Sequence, residues 1–286
     1  MIVLIFGNGW LANNYYDYLN GLGHRVVISG ENILDSIEVR KEILIYGPEL
    51  VINCAGKCGS PNIDWCELTE ENRQLTEQVN AFGPRVLFDA VRRETAAPFV
   101  HLSSGCLWDV DDDNEPLTEE ETPDPPSFYS ETKMMGEYGL QGQDAIIIRL
   151  RMPLDSVPHP RNLIDKLRGY KYVLDVPNSV TTVETLMRAT MHLVKKRCTG
   201  VYNVVDGTTT GAELMGLYQN HVDPNHEFTP ITKAELYDLG LAKSKRSNCR
   251  LSSEKLNATG FPRVWDTGII LSSLMGEYAK ATKASA

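Results

Sequence analysis

At 286 residues with 42% apolar side chains, the chain can close a substantial core, and disorder is not its default state. Its 28 basic against 38 acidic residues, a formal net charge of -10, argue against general nucleic-acid binding while leaving room for a local cationic pocket. No stretch approaches the ~20 apolar residues of a membrane-spanning helix. Met1 leads straight into the strand-like run Ile2–Phe6 with no basic segment or cleavage site, so no signal peptide, no membrane partner and a cytoplasmic setting are expected.

In chain order, short apolar runs at 2–6, 25–28, 49–53, 99–102 and 145–150 alternate with amphipathic stretches at 10–22, 36–45, 67–93 and 128–140. That alternation predicts a parallel sheet with helical crossovers. Segment 109–127 is acidic and proline-rich and predicts a mobile surface loop, placed to cover a bound molecule. Past Arg149 the prolines at 153, 158 and 160 mark a crossover, followed by a helix near 183–195, a strand at 201–205 and a terminal helix at 267–281. The six cysteines, at 54, 58, 66, 106, 198 and 249, form no C-x-x-C pair and have no histidine cluster beside them. They read as free thiols in a reducing compartment, with no metal site.

The first strand runs into Gly7-Asn8-Gly9-Trp10-Leu11-Ala12, a G-x-G-x-x-A turn at the head of a βαβ unit. Gly7 permits the tight turn, Gly9 lets backbone N–H groups approach a pyrophosphate, and Ala12 allows close helix packing. The fold class expected is therefore α/β, a Rossmann-like doubly wound parallel sheet with a smaller mixed C-terminal lobe. Residues 1–150 and 176–205 are assigned to a dinucleotide-binding domain, and 151–175 with 206–286 to a substrate-binding lobe. The second strand ends Ile28-Ser29-Gly30-Glu31, without the carboxylate that grips an adenosine ribose. Ser29 there suits a 2'-phosphate and Glu31 opposes one; NADPH is expected, with NADH as the alternative. Asn53, Ala55 and Gly56, closing the third strand, are further cofactor candidates because small residues let the backbone pass close to a dinucleotide.

Tyr129-Ser130-Glu131-Thr132-Lys133 carries the sharpest chemical signal. The i, i+4 spacing puts the phenol and the ammonium on one helical face, where the ammonium is expected to lower the phenol pKa and to touch the nicotinamide ribose. A phenol so tuned can protonate a carbonyl oxygen as hydride arrives at carbon. Ser104, rather than Ser103, is the hydroxyl chosen to bond the substrate oxygen.

These residues, in this order, resemble the extended short-chain dehydrogenases. Longer strings narrow the resemblance: Ser60-Pro61-Asn62-Ile63-Asp64-Trp65-Cys66-Glu67, Gly105-Cys106-Leu107, Ser127-Phe128-Tyr129-Ser130, Arg149-Leu150-Arg151-Met152-Pro153, Pro160-Arg161-Asn162, Pro177-Asn178-Ser179 and Arg246-Ser247-Asn248. They are similar to the plant bifunctional UDP-4-keto-6-deoxyglucose 3,5-epimerase/4-reductases of UDP-L-rhamnose synthesis, relatives of dTDP-4-dehydrorhamnose reductase. The resemblance runs from Ile2 to about Phe261. It implies a reductase pair Tyr129 and Lys133, with Ser104 where the plant proteins have threonine, and epimerase roles for Cys106 and Lys166. Asn80, Arg161, Asn162, Asn178, Thr181 and Arg246 are candidates for holding the substrate, arginine because its planar fork suits a diphosphate. Against the family pattern, the glycine loop is one residue shorter, Glu31 stands near the place of a basic residue, and Cys249-Arg250-Leu251-Ser252 replaces part of a more acidic motif.

Two other readings compete. One is a monofunctional 4-ketoreductase fed with an already epimerised dTDP sugar; the other is a non-catalytic dinucleotide-binding regulatory subunit. The partners expected are a nucleotide-diphosphate sugar, a second copy of the chain in a homodimer, and an upstream 4,6-dehydratase, fused or associated, because these residues hold a single dinucleotide motif.

Overall fold

A computed structural model describes residues 1–110, 115–262 and 266–284. Six parallel strands form the central sheet: β1 (Ile2–Phe6), β2 (Arg25–Ser29), β3 (Leu50–Asn53), β4 (Phe99–Ser104), β5 (Ile146–Leu150) and β6 (Gly200–Val204). Their order across the sheet is β6-β5-β4-β3-β1-β2, so the direction of winding reverses between β1 and β3. In open α/β sheets the ligand crevice lies at that reversal, beyond the carboxyl ends of the strands.

Residue alternation along each strand sorts the core into two layers. Val3, Ile5, Ile52, Val100 and Ile148 point to one face, where they pack with Tyr15 and Leu19 of α1 (Trp10–Gly21) and with Leu186, Met187 and Leu193 of the later helix Val183–Lys195. Leu4, Phe6, Val51, Phe99 and Ile147 point to the other, against α2 (Ser36–Tyr46) and further helices supplying Leu87, Val91 and Leu140. Each such aliphatic side chain contributes about 1.5–3 kcal/mol by leaving water, and this two-sided burial is why the strands read as continuous apolar runs.

The helix expected over 67–93 is not continuous. Residues Ile63–Glu67 form a 3-10 turn, then α3 (Glu70–Glu77) starts on the Thr69 cap, a π turn spans Gln78–Phe82, and α4 (Gly83–Glu94) follows. Pro84 supplies the reason. It has no N–H to donate to the Asn80 carbonyl four residues back, so the helix widens, and Gly83 N bonds Gln78 O instead. Helix α5 (Phe128–Leu140) crosses the π turn, with Gly136 against the Asn80 carbonyl and Pro84.

A third apolar cluster lies apart from the sheet. It gathers Leu154, Ile164, Leu167, Val173, Leu214, Met215, Tyr218, Leu271, Met275 and Tyr278. Helix α6 (Leu163–Leu167) belongs to it, as does the C-terminal helix Thr267–Ala284. The expectation of a mobile loop over 109–127 needs correction for its described part. Val110 N bonds Asn248 O at 2.8 Å, Leu117 N bonds Arg250 O at 2.8 Å, and Trp108 Nε1 bonds Thr122 O at 2.9 Å, so the segment is stitched to the chain around 248–252. Residues 111–114 of that loop lie outside the described residues. Among the described residues no helix is long and apolar enough to cross a membrane.

Candidate active site

Ser127 caps α5, its Oγ accepting from Ser130 N at 3.3 Å, and so sets Tyr129 in the first turn and Lys133 one turn later. Both reach the carboxyl end of β4. Ser104 hydrogen-bonds the Tyr129 phenol, and Lys133 Nζ donates to the Leu102 carbonyl at 2.9 Å. Ser103 points elsewhere, donating to Glu137, whose carboxylate is gripped by Arg149 at 2.7 Å in a buried ion pair.

Burial pushes the phenol well above its ordinary pKa; Cys106 and Cys58 add to the rise and the Ser104 bond opposes it. Burial also brings the Lys133 ammonium down to about 8, against the pull of Glu137. This corrects the expectation that Lys133 lowers the phenol: desolvation dominates at Tyr129, and the ammonium is held by a backbone carbonyl. Tyr129 is therefore protonated at neutral pH, the form that can donate a proton.

Cys106 follows Ser104 closely and its N–H donates to Ser104 Oγ at 3.1 Å. Its Sγ accepts a hydrogen bond from Arg151 Nη1 at 2.9 Å. Lys166, on α6, takes part in no ion pair among the described residues; burial lowers its pKa, Cys58 raises it and Arg161 lowers it further. Cys58 is the common neighbour, within electrostatic reach of Tyr129, Lys133 and Lys166 and accepting from Arg161 Nη1 at 3.3 Å. Two thiols, a phenol and two lysines, drawn from the chain just past β4, from α5, from α6 and from the loop after β3, are thus linked through Cys58 and Tyr129.

The glycine loop closes the other side. Gly7 has φ +94°, and a Cβ there would stand 2.6 Å from Ala55 N, so only glycine lets the β1 and β3 ends approach. A Cβ at Gly9 would meet nothing within 4 Å, and no side chain caps α1, whereas α5 and the helix Val183–Lys195 are capped by Ser127 and Thr182. Open space beside Gly9 at an uncapped helix start suits a pyrophosphate. A Cβ at Gly56 would lie 4.0 Å from Lys133 Nζ, so the β3 end adjoins the phenol–ammonium pair. Trp10 stacks on His159 with ring centroids 5.4 Å apart, joining the glycine loop to the segment before α6. Two cofactor candidates do not offer a side chain to a ligand. Asn53 is fully buried, bonding His101 Nδ1 and accepting from Ala55 N, and the Ser29 hydroxyl accepts from Glu31 N within its own turn.

Most of the polar candidates for the substrate are used inside the fold. Asn162 is fully buried, capping α6 and donating to Asp155 O. Thr181, also fully buried, donates to Val204 O and accepts from Arg151 N. Asn178 Oδ1 accepts from Arg151 Nη2 and from Cys249 N. Asn80 binds both the N–H and the carbonyl of Lys57 at 2.8 Å and donates to Thr132, so it holds the loop after β3 against α5. Arg246 pairs with Asp64 at 2.7 Å; burial pushes that carboxyl up, but Arg246 and the Ser244 and Lys243 amides outweigh it and hold the group below the usual carboxylate range. Arg161 alone of this set donates to a thiol sulfur, that of Cys58, and lies near Lys166. Sequence reasoning passed over Cys58, read only as one of six free thiols, and gave Arg151 no role of its own, although it stood within the quoted Arg149–Pro153 string. Among the described residues no group of three or more His, Cys, Asp or Glu is placed to hold a metal ion.

Comparison with known proteins follows the same outline. The family model described as RmlD substrate binding domain matches residues 1–272. A bifunctional dTDP-4-dehydrorhamnose 3,5-epimerase/dTDP-4-dehydrorhamnose reductase of Arabidopsis thaliana is 31% identical, over 99% of this chain and 95% of its own length. The crystal structure of the L780 UDP-rhamnose synthase from Acanthamoeba polyphaga mimivirus superposes with TM-score 0.88 at 24% identity, covering 97% of this chain and 99% of that one. A dTDP-4-dehydrorhamnose reductase from Bacillus anthracis, in complex with NADP, gives TM-score 0.79 at 20% identity, with 96% of each chain covered. The glycine turn, the phenol–ammonium helix and these matches lead to one assignment: the chain belongs to the RmlD substrate-binding-domain family.

Proposed function

We propose that the protein is an NADPH-dependent 4-ketoreductase of nucleotide-linked 6-deoxy sugars that also carries the 3,5-epimerase step, taking UDP-4-keto-6-deoxyglucose to UDP-L-rhamnose. The observation that carries this reading is that a protonated, Ser104-bonded phenol lies within electrostatic reach of Cys106 and of Cys58, and Cys58 in turn within reach of Lys166, so that a second acid–base pair borders the reductase pair. A reductase alone needs the first set and has no use for the second. The match to a bifunctional plant enzyme over nearly its whole length supports both activities, and the NADP held by the structurally similar reductase supports the cofactor.

The dinucleotide would lie along Gly7–Leu11 and Ala55–Gly56, its pyrophosphate on the α1 amides and its ribose near Lys133; bound there, reduced nicotinamide supplies hydride to C4. Segments 151–175 and 206–284 would form the lobe that receives the sugar nucleotide. The 4-keto group acidifies the protons at C3 and C5, and withdrawing one leaves an enolate whose oxygen Ser104 and Tyr129 would bond. Cys106 and Lys166 exchange those protons. After inversion, Tyr129 gives its proton to the C4 oxygen. The 4-keto substrate must come from a 4,6-dehydration carried out elsewhere.

Incubation of the purified protein with UDP-4-keto-6-deoxyglucose and NADPH tests the reading, with the product resolved by mass spectrometry and NMR. UDP-rhamnose is expected. Reduction of only a pre-epimerised dTDP or UDP 4-keto-rhamnose would select the monofunctional reductase. Dinucleotide binding with no turnover of either sugar would select the regulatory subunit.

A further inference from the structure

Arg151 is 2% exposed, and among the described residues it takes part in no ion pair with a carboxylate. A buried guanidinium is costly unless its charge is met. Nη1 donates to Cys106 Sγ at 2.9 Å, Nη2 donates to Asn178 Oδ1 and to Ser247 O at 2.8 Å, and Nε has no partner among the described residues. Its electrostatic neighbours are Cys249, Cys106 and Asp109. Asp109 is occupied by Lys233, and the Cys249 thiol donates to Gly105 O at 3.1 Å. Among the described residues the Cys106 sulfur is thus the one group bonded to the guanidinium that can carry a negative charge. The surroundings are built for this contact. A Cβ at Gly105 would stand 3.3 Å from Arg151 Cδ and 2.5 Å from Leu251 Cδ1, so glycine there makes room for the arginine stem, while Thr181 Oγ1 accepts from Arg151 N at 2.9 Å.

We propose that Arg151 is a positioning residue that makes Cys106 the base of the epimerisation, leaving Lys166 as the acid. The inference rests on the bifunctional reading above and deepens it. In the gluco configuration the hydrogens on C3 and C5 project from the same face of the ring, so a single base on that face and a single acid on the other serve both centres. The anionic sulfur takes the C3 or C5 proton, and the C–H electron pair moves into the C3–C4 or C4–C5 bond and onto the C4 oxygen. The Lys166 ammonium returns a proton to carbon from the opposite face, and solvent then takes the thiol proton and reprotonates the Lys166 amine before the second centre reacts. Nothing is oxidised or reduced, and Arg151 keeps its protons throughout, donating N–H to sulfur. Asn178 and Ser247 hold the guanidinium, and Thr181 the Arg151 backbone, instead of meeting the substrate.

The test follows wild type, Arg151→Met, Arg151→Lys and Lys166→Met in D2O with UDP-4-keto-6-deoxyglucose. Peptide mass spectrometry reads iodoacetamide labelling of Cys106 in the same proteins. With Arg151→Met, the ratio of C3/C5 deuterium exchange to NADPH-dependent reduction of pre-epimerised 4-keto-rhamnose should fall by about 10²-fold, as for loss of a general base. Labelling of Cys106 should slow in parallel, and Arg151→Lys should recover part of both. Lys166→Met should still exchange deuterium but return the gluco configuration without inversion. Should Arg151→Met fail to fold, Arg151→Lys labelling and Lys166→Met exchange still decide. Unchanged Cys106 labelling in Arg151→Lys and Arg151→Met, or loss of all exchange in Lys166→Met, overturns the proposal. Absence of exchange in wild type refutes the bifunctional reading instead, and the labelling then still reports on the Arg151–Cys106 pair.

Discussion

Gly136 of α5 lies against the carbonyl oxygen of Asn80, the oxygen that Pro84 leaves without its helical N–H partner. A Cβ at Gly136 would overlap that oxygen and stand 3.2 Å from Pro84 Cγ. The helix bearing Tyr129 and Lys133 is thereby seated on the π turn whose Asn80 side chain orders Lys57. Gly136→Ala should lower stability by about 1–3 kcal/mol, the usual cost of overpacking, and depress reduction along with it. Thermal or urea unfolding checks this, with Gly139→Ala on the same helix as the control, since a Cβ there would meet only ordinary contact at 3.5 Å.

Beneath the site, Glu137 and Arg149 pair at 2.7 Å with side chains 3% and 4% exposed. Removing one partner leaves the other charge buried alone. Glu137→Gln should cost about 3–5 kcal/mol, seen as a lower urea midpoint with an unchanged slope.

Tyr129→Phe removes the proton donor while keeping the ring. Reduction should fall by about 10²–10⁴-fold, with dinucleotide affinity, measured by calorimetry, little altered. A variant reducing at the wild-type rate would take Tyr129 out of the chemistry.

The Lys133 ammonium, brought down to about 8 by burial, carries its proton below that pH and loses it above. If the charged form is the active one, kcat/KM for reduction falls as pH rises through about 8, since that parameter reports groups of the free enzyme. A profile flat to pH 9.5 would mean that the Lys133 charge is not needed.

The sheet was legible because strands buried on both faces read as apolar runs, and the Gly7–Ala12 turn and the Tyr129–Lys133 spacing are local patterns that one helix or turn fixes. The break at 78–82 was not, since amphipathic spacing continues through a π turn and only Pro84 betrays it. The environment of each polar side chain was hidden for a different reason. Asn178 and Thr181 look like ligands in a string of letters, yet long-range partners such as Arg151 and Val204 claim them, and Asn162 is spent on the cap of α6 and on Asp155. The sign at Tyr129 was misjudged likewise: spacing puts an ammonium on the same face, but burial, which spacing does not report, outweighs it.

The most direct measurement follows the C3 and C5 protons of UDP-4-keto-6-deoxyglucose by NMR in D2O with dinucleotide withheld, for wild type and Cys106→Ala. Both protons should exchange with wild type and at least about 10²-fold more slowly with the variant. Full-rate exchange at both carbons in Cys106→Ala would contradict a thiol base at the sugar ring.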